Sequence, residues 1–530
     1  MTDKILAALG IPQILDLIDA PGEFLAEVKR GSLKPALEDK GGASSRYALT
    51  GLWLSRLRGN DTLRRQLKDL FAQLPRLSLP RQRPTRPLAV HEFFLLKQFL
   101  FHYENLRKFV DGLAWKEFTF LGAGHVFSLL DPEGSGLPSF SIYEAYSPKL
   151  AEYSKQRDLI ALRLKQARQQ LLAEAGAELN LPQLKEEFVI SRGQQELADR
   201  LLHSGRFVLL SENIANLRFH LADDDECLAL KEVLSRLKQK REKEEARVLR
   251  NLSMQIFREL AYLRSIHHYL SYQGLNFILA EFALEHGCCL PFLTKKKQIL
   301  IRQARNLPLE LHLKERGRNW QAFDYEFDQR ISLITGPNMG GKTTVLKTVG
   351  QICWLARLGI PLPCREASLP LFDHIWFNQA EEEESSDLSS FGREVASFAQ
   401  ALRQEGLTLF LLDEFARGTN PAEGENLAVA VLQYLSATPH VCLAATHYTK
   451  PALIKDLAQY SVAGLDPRSP ALKVSSSLSP AQRLKALAEA MDFRLVRLKK
   501  NQAPPLSAMT VARVLGLPQE ILDLAAKDRQ

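Results

Sequence analysis

Apolar residues recur three and four apart from Ser44 to about Leu130 and predict helices there. Leu63, Leu67, Leu70, Phe71 and Leu74 form one such stripe, and Phe93, Phe94, Lys97 and Phe101 another. Pro75, Pro80, Pro84 and Pro87 turn the stretch between them into a connection. Leu129-Leu130-Asp131-Pro132-Glu133-Gly134-Ser135-Gly136 reads as a turn-rich hinge. A second helical segment begins near Pro148 and runs towards Ala177. Two short β-rich pieces follow, Glu187 to Ser191 and Phe207 to Leu210, with a third at Leu217 to His220. From Cys227 to about Leu284 the pattern is that of one long helix, whose middle, Lys238 to Arg247, is almost wholly charged. That middle reads as a solvated helix or coiled-coil arm. A helix of roughly 40 residues or more extends ~60 Å, too long for a compact domain.

The pattern changes after residue 299. Arg330-Ile331-Ser332-Leu333-Ile334-Thr335, Leu409-Phe410-Leu411-Leu412 and Val441-Cys442-Leu443-Ala444-Ala445 are short apolar runs with no alternation, as strands buried on both faces are. The first leads into Gly336-Pro337-Asn338-Met339-Gly340-Gly341-Lys342-Thr343-Thr344, which fits G-x-x-x-x-G-K-[ST], and a helical pattern follows. Strand, glycine-rich turn and helix make a phosphate cradle: backbone N–H groups crowd round the phosphates and the helix N-terminus adds a positive dipole end. Lys342 is then placed for the β- and γ-phosphates and the Thr343 hydroxyl for a magnesium ion. The second run ends in Asp413-Glu414, where α/β sheets bind their ligands. Asp413 suits a hydrated magnesium ion, and Glu414 suits orienting or deprotonating a water. The third ends in Thr446-His447, and His447 is a candidate γ-phosphate sensor at the neighbouring strand tip.

Charge and cysteine content narrow the classes without choosing among them. A chain of 530 residues calls for several domains. A net charge of +8 is modest at that length and permits a polyanionic partner without requiring one. The six cysteines form no CxxC pair, so neither a zinc site nor a disulfide framework is indicated; Cys353 and Cys442 lie in apolar surroundings. No uninterrupted apolar span long enough for a membrane helix and no leader pattern are found, so a cytoplasmic protein is expected.

These motifs together resemble the ATPase domain of the MutS family, within the ABC-type ATPases. The resemblance rests on Gly336 to Thr344, on Asp413-Glu414-Phe415-Ala416-Arg417-Gly418-Thr419, and on Ala445-Thr446-His447. Ser389-Ser390-Phe391-Gly392-Arg393-Glu394 is similar to the family's S-T-F-x-x-E signature, which implies that Ser390 reaches the γ-phosphate held by a second subunit. Asn420 to Gly424 falls at the family's D-loop, and Val511 to Glu520 resembles the helical tail that braces the dimer. Two departures stand out: Ala416 and Glu423 replace a glycine and an aspartate, and Trp376-Phe377-Asn378-Gln379-Ala380 with the acidic run Glu381 to Glu384 replaces F-x-R-I-G.

The resemblance implies a multidomain α + α/β chain: a helical core with long lever and clamp helices, followed by an ABC-type P-loop ATPase domain. The expected boundaries are 1–150 for the first part of the helical core, 151–298 for lever helices with a small clamp-like β insertion, and 299–530 for the ATPase domain with its tail. Ile190 to Gln194 is similar to a clamp segment. The implied cofactors are ATP and Mg2+ and the implied assembly is a homodimer. The mismatch-reading domain with its Phe-x-Glu motif and the Smr nuclease are both expected to be missing; Phe257-Arg258-Glu259 falls within the long helix. The resulting reading is a dimeric ATPase that clamps double-stranded or branched DNA without mismatch reading, with Arg192, Arg206, Lys238, Lys240 and Arg241 as candidate phosphate contacts. The other reading is a nucleotide-driven switch that remodels a protein partner. A transporter subunit fits poorly, since the S-S-F-G-R-E segment is not LSGGQ.

Overall fold

The computed structural model of the chain describes residues 2–33, 40–80, 82–181, 184–327, 329–336, 341–378, 390–454, 457–465, 482–483, 491–498 and 508–527. Contacts divide it into two units, one of residues 73–269 and one of residues 1–72 with 270–530. The described structure is a mixture of helices and of several sheets, as the alternation of periods along the chain predicts.

The unit of residues 73–269 is mainly helical. Its long helices are Val90–Gly112, Pro148–Glu178 and Asp225–Arg258. Pro148 opens its helix, where a missing N–H costs nothing, and Asp224 caps the next by accepting from the Cys227 N–H at 2.7 Å. Between the last two helices lie β1 (Glu187–Ser191), β2 (Phe207–Glu212) and β3 (Asn216–Leu221), in the order β1-β3-β2 and antiparallel. Phe207, Phe219, Leu221 and Ile190 from the strands pack with Leu171, Ala175, Leu201 and Cys227 from the helices in one core.

Three features of this unit differ from the sequence pattern. The single helix expected from Cys227 to Leu284 is interrupted at Glu259, whose N–H turns back to Ile256 O in a tighter turn; the next helix is Leu260–His286. Lys97, placed by its spacing on an apolar stripe, is indeed buried, and an ion pair accounts for it: its ammonium donates to Asp131 Oδ1 at 3.1 Å. The Leu129–Gly136 segment is therefore a pinned turn, with Asp131 also accepting from the Ser135 hydroxyl and the Gly136 N–H. Burial pushes the Asp131 carboxyl up, but these hydrogen bonds and the Lys97 ammonium outweigh it and hold the group down at about 2.

The other unit contains two sheets. A four-stranded sheet is made of β4 (Phe292–Leu293), β5 (Ile299–Ala304), β6 (Phe323–Phe327) and β8 (Glu366–Leu369), in the order β4-β8-β5-β6. The six-stranded sheet contains β7 (Ile331–Thr335), β9 (His374–Phe377), β10 (Thr408–Asp413), β11 (Val441–Ala445), β12 (Ala458–Leu465) and β13 (Met491–Arg497). Its order is β13-β12-β7-β11-β10-β9, parallel except for β13. β7, β10 and β11 are buried at every position, which is why they show no alternation in the sequence. The helix Lys342–Arg357 is buried along most of its length, as a helix laid on such a sheet must be.

The helix Ser390–Leu402 is fixed to this sheet by Phe398, whose ring centroid lies 5.3 Å from those of Trp376, Phe410 and Phe415. The Trp376 indole N–H donates to the Ser397 hydroxyl at 2.9 Å. Cys353 and Cys442 are buried free thiols, as their apolar surroundings predict, and the sulfurs of Cys289 and Cys364 lie 3.4 Å apart. Among the described residues no helix is long and apolar enough to cross a membrane.

Candidate functional site

β10 pairs with β11 and β11 with β7, all in parallel, so the C-terminal ends of the three strands share one edge. The chain leaves β7 through Gly336 at φ 127° and enters the next helix through Gly341 at φ 83°, values that side-chain-bearing residues rarely adopt. The helix starts at Lys342, so its N-terminal end, the positive end of the helix dipole, lies at the same edge. Pro337, Asn338, Met339 and Gly340 lie outside the described residues.

Lys342 is buried, and its ammonium donates to Gly336 O at 2.8 Å. Burial pulls its pKa below the ordinary lysine value, while the Glu414 and Asp413 carboxylates pull the other way. The Thr343 hydroxyl donates to Asp413 Oδ2 at 2.6 Å, joining the first turn of the helix to the end of β10. Asp413 is buried too; burial pushes its carboxyl up, with the Thr343 hydrogen bond acting against the shift. Two hard oxygen donors and a buried ammonium therefore converge beside the glycine loop. Thr344 occupies the same turn, and its carbonyl accepts from the Thr348 hydroxyl at 2.7 Å.

Glu414 follows directly, at φ 50°, a left-handed conformation for a non-glycine residue. Its N–H donates to Ala445 O at 2.8 Å, which ties it to the end of β11. Its carboxylate accepts from Arg417 Nη1 at 2.7 Å and lies 3.9 Å from His447 Nδ1. His447 itself is well exposed and packs against the Tyr448 ring, 4.6 Å between centroids. The structure thus brings Lys342, Thr343, Asp413, Glu414 and His447 to one sheet edge. The backbone of Ser390 opens the helix Ser390–Leu402; its side chain and Ser389 lie outside the described residues.

Three further residues belong to this edge. Arg417 reaches Glu414 from one turn along the chain. Asn378, which follows β9, is buried and exchanges two hydrogen bonds with the backbone of Asp413: its Oδ1 accepts from Asp413 N and its Nδ2 donates to Asp413 O, each at 2.8 Å. Glu394, on the helix Ser390–Leu402, accepts from Asn378 Nδ2 at 2.7 Å and from the Ala416 N–H at 3.1 Å. A polar residue directly after an apolar strand is the available signal for Asn378. Glu394 stands in the signature, but nothing in its spacing tells which groups it holds.

The conformation also explains two sequence features of the neighbouring turn. Ala416 has φ 63°, so the glycine it replaces is the residue that backbone favours. At Gly424 a Cβ would stand 2.6 Å from the Ala416 carbonyl oxygen, too close for any side chain. Asn420 caps the helix Pro421–Ser436, accepting from the Ala422 N–H at 3.0 Å.

The basic candidates of the unit 73–269 are engaged differently. Arg192 pairs with Glu212 at 2.7 Å, Arg206 with Glu178 at 3.1 Å and Arg241 with Glu245 at 2.9 Å. Lys238 and Lys240 are exposed on the helix Asp225–Arg258.

Residues 332–530 match MutS domain V. Among curated relatives, the "Endonuclease MutS2" of Caldicellulosiruptor bescii is 31% identical over 233 residues, 42% of this chain and 28% of that protein. That of Caldanaerobacter subterraneus is 26% identical over 365 residues, 64% of this chain and 42% of the relative. That of Maridesulfovibrio salexigens is 41% identical over 129 residues, 24% of this chain and 16% of the relative. The matched stretches thus span less than half the length of each of these relatives. Taken with a glycine loop, an Asp-Glu strand end and a histidine on adjacent parallel strands, these matches support a MutS-family protein, the family model itself matching residues 332–530.

Proposed function

We propose that this chain is a MutS-type ATPase that hydrolyses ATP to ADP and phosphate and uses the cycle to clamp double-stranded or branched DNA, without reading mismatches. The observation that carries the ATPase reading is the contact of Thr343 Oγ1 with Asp413 Oδ2 at 2.6 Å beside the buried Lys342 ammonium. Hydroxyl and carboxylate oxygens suit a hard divalent cation, and the ammonium suits a phosphate. In this reading residues 299–530 form the ATPase domain, and Gly336 to Thr344 cradle the phosphates. Thr343 and Asp413 hold Mg2+, which when bound offsets the charge of the β- and γ-phosphate oxygens. Lys342 neutralises the transferred phosphoryl group. Glu414 orients and deprotonates the attacking water, and His447 senses the γ-phosphate from the tip of β11. The Arg417 guanidinium pairs with the Glu414 carboxylate at 2.7 Å.

The protein acts in this reading as a cytoplasmic homodimer, with Ser390 contributed to the partner's nucleotide and the tail helices Ala508–Leu515 and Gln519–Lys527 bracing the pair. Residues 1–150 and 151–298 supply the helical core and the lever with its clamp. DNA contacts through lysines and arginines meet phosphates, which carry no mismatch information. The endonuclease in the relatives' name does not come with the match, which covers at most 42% of those compared above.

One observation favours a protein partner instead. Val189, Val208 and Leu210 are exposed on the small sheet, and Ile214 in its turn is 98% exposed. The arginines Arg192 and Arg206 nearby in sequence are already paired with carboxylates. ATP turnover measured alone and with duplex, branched and single-stranded DNA tests the choice. Stimulation by duplex or branched DNA that fades steeply with salt supports the DNA clamp. No stimulation by any of the three supports the protein-remodelling switch.

A further inference from the structure

We propose that Asn378 and Glu394 are positioning residues that hold Glu414 in register for hydrolysis. The inference rests on the reading of Glu414 as the group that acts on water. Glu414 has no freedom to hold itself. It sits at φ 50°, and Ala416, two residues on, sits at φ 63°, so the turn contains two non-glycine residues in the left-handed region. Such conformations persist only where the surroundings over-determine them.

Here the surroundings include two side chains. Asn378 holds the residue before Glu414 at both backbone polar atoms, taking the Asp413 N–H and giving to the Asp413 carbonyl, each at 2.8 Å. Glu394 holds the second residue after it through the Ala416 N–H at 3.1 Å. The two clamps are joined, because Asn378 Nδ2 also donates to Glu394 Oε1 at 2.7 Å. Glu414 is thus held by its chain neighbours on both sides, while its own carboxylate stays turned to Arg417 and His447.

The polarity of the network admits only one arrangement. Asn378 must present its carbonyl to the Asp413 N–H and its amide nitrogen to two acceptors, and Glu394 must be acceptor at both oxygens. Both residues come from rigid elements. Asn378 directly follows β9, which pairs with β10, and Glu394 shares a helix with Ser397 and Phe398, which pack on Trp376. The four bonds of the clamp all end on Asp413, Ala416 or each other, so displacing it moves Glu414 while the Lys342 bond to Gly336 O stays in place.

The test compares Asn378→Asp, Glu394→Gln, the double variant and Glu414→Gln for kcat, KM and affinity for a fluorescent ATP analogue. Asn378→Asp sets a carboxylate against Glu394 and the Asp413 carbonyl, and kcat falls about 100-fold while nucleotide affinity changes less than about threefold, as a misplaced group predicts. In the double variant the amide introduced by Glu394→Gln supplies the missing donor and still accepts from Ala416, so kcat recovers about tenfold over Asn378→Asp, a non-additive pair. Wild-type kcat in both single variants overturns the proposal, as does a double variant whose loss is the product of the two single losses. If Asn378→Asp loses nucleotide affinity, the substitution has also displaced the Asp413 carboxylate from Thr343, and Glu394→Gln, which keeps the shape and one acceptor and touches Ala416 rather than Asp413, decides by its kcat alone. Full turnover in Glu414→Gln would instead remove the reading on which the proposal rests, whatever the clamp variants do.

Discussion

The strand edge around Asp413 and the small sheet β1-β3-β2 both carry charged and polar groups, and they treat them in opposite ways. At the strand edge Lys342, Asp413 and Asn378 are buried, and each is hydrogen-bonded within the edge. Around the small sheet Arg192, Arg206, Glu212 and Glu178 are paired with each other while remaining largely open to solvent. Burying an ionised group costs several kcal/mol unless it is fully paired, whereas an exposed pair contributes about 0–1 kcal/mol. Buried charge therefore has to be explained by what it holds, and exposed charge does not. This is why the nucleotide reading rests on geometry and the DNA reading on experiment.

The contrast can be broken most sharply at a buried pair away from the nucleotide edge. Lys97→Met leaves Asp131 buried without its cation, and denaturant unfolding should show a loss of about 3–5 kcal/mol. If the loss is below ~1 kcal/mol, burial is not what distinguishes the two kinds of charge. The pH dependence has a fixed sign. Asp131 is held at about 2 in the folded chain, below its ordinary value of ~3.9. Its contribution is present above ~3.9 and lost as pH falls through about 2. The wild type should therefore lose this increment in acid, and Lys97→Met should lose less.

Lys342→Ala should come next, lowering affinity for a fluorescent ATP analogue by about 100-fold, the scale of a lost charged hydrogen-bond partner. Unchanged affinity would place the phosphates elsewhere. A smaller effect of opposite sign belongs to Ala416→Gly. It relieves a left-handed alanine and should stabilise the protein by ~1 kcal/mol in thermal unfolding, provided the turn is retained. A destabilised variant would mean that the alanine methyl makes a contact worth more than the strain. Arg192→Ala marks the bottom of the scale, with a stability change below ~1 kcal/mol. Any larger effect on duplex binding than on stability would sharpen the DNA reading, because it would show a surface arginine exchanging Glu212 for phosphate.

Legibility in the sequence follows the same division. β7, β10 and β11 are visible as apolar runs because parallel strands buried on both faces leave few polar positions and no alternation to confuse the pattern. The residues at and beyond their ends include Lys342, Thr343, Asp413, Glu414 and His447, and the structure brings those residues to one edge. The three strands of the small sheet are legible within a few residues, but the helix Gln195–His203 between two of them is not, since a nine-residue amphipathic helix set in polar sequence has little to mark it. The break at Glu259 contains neither proline nor glycine and leaves no mark. Lys97 reads as part of an apolar stripe because a buried ion pair depends on a partner, Asp131, whose approach no periodicity encodes. The clamp of Asn378 and Glu394 is of the same kind: each contact joins segments at least 16 residues apart.

The central claim is that Glu414 acts on the attacking water while Lys342 and Thr343 hold the nucleotide. Phosphate release by wild type and Glu414→Gln at saturating MgATP, with nucleotide affinity measured on the same samples, tests it most directly. The account predicts that Glu414→Gln binds ATP within about threefold of wild type and turns it over at least about 100-fold more slowly, since only the handling of water is lost. Hydrolysis by Glu414→Gln at the wild-type rate would contradict it.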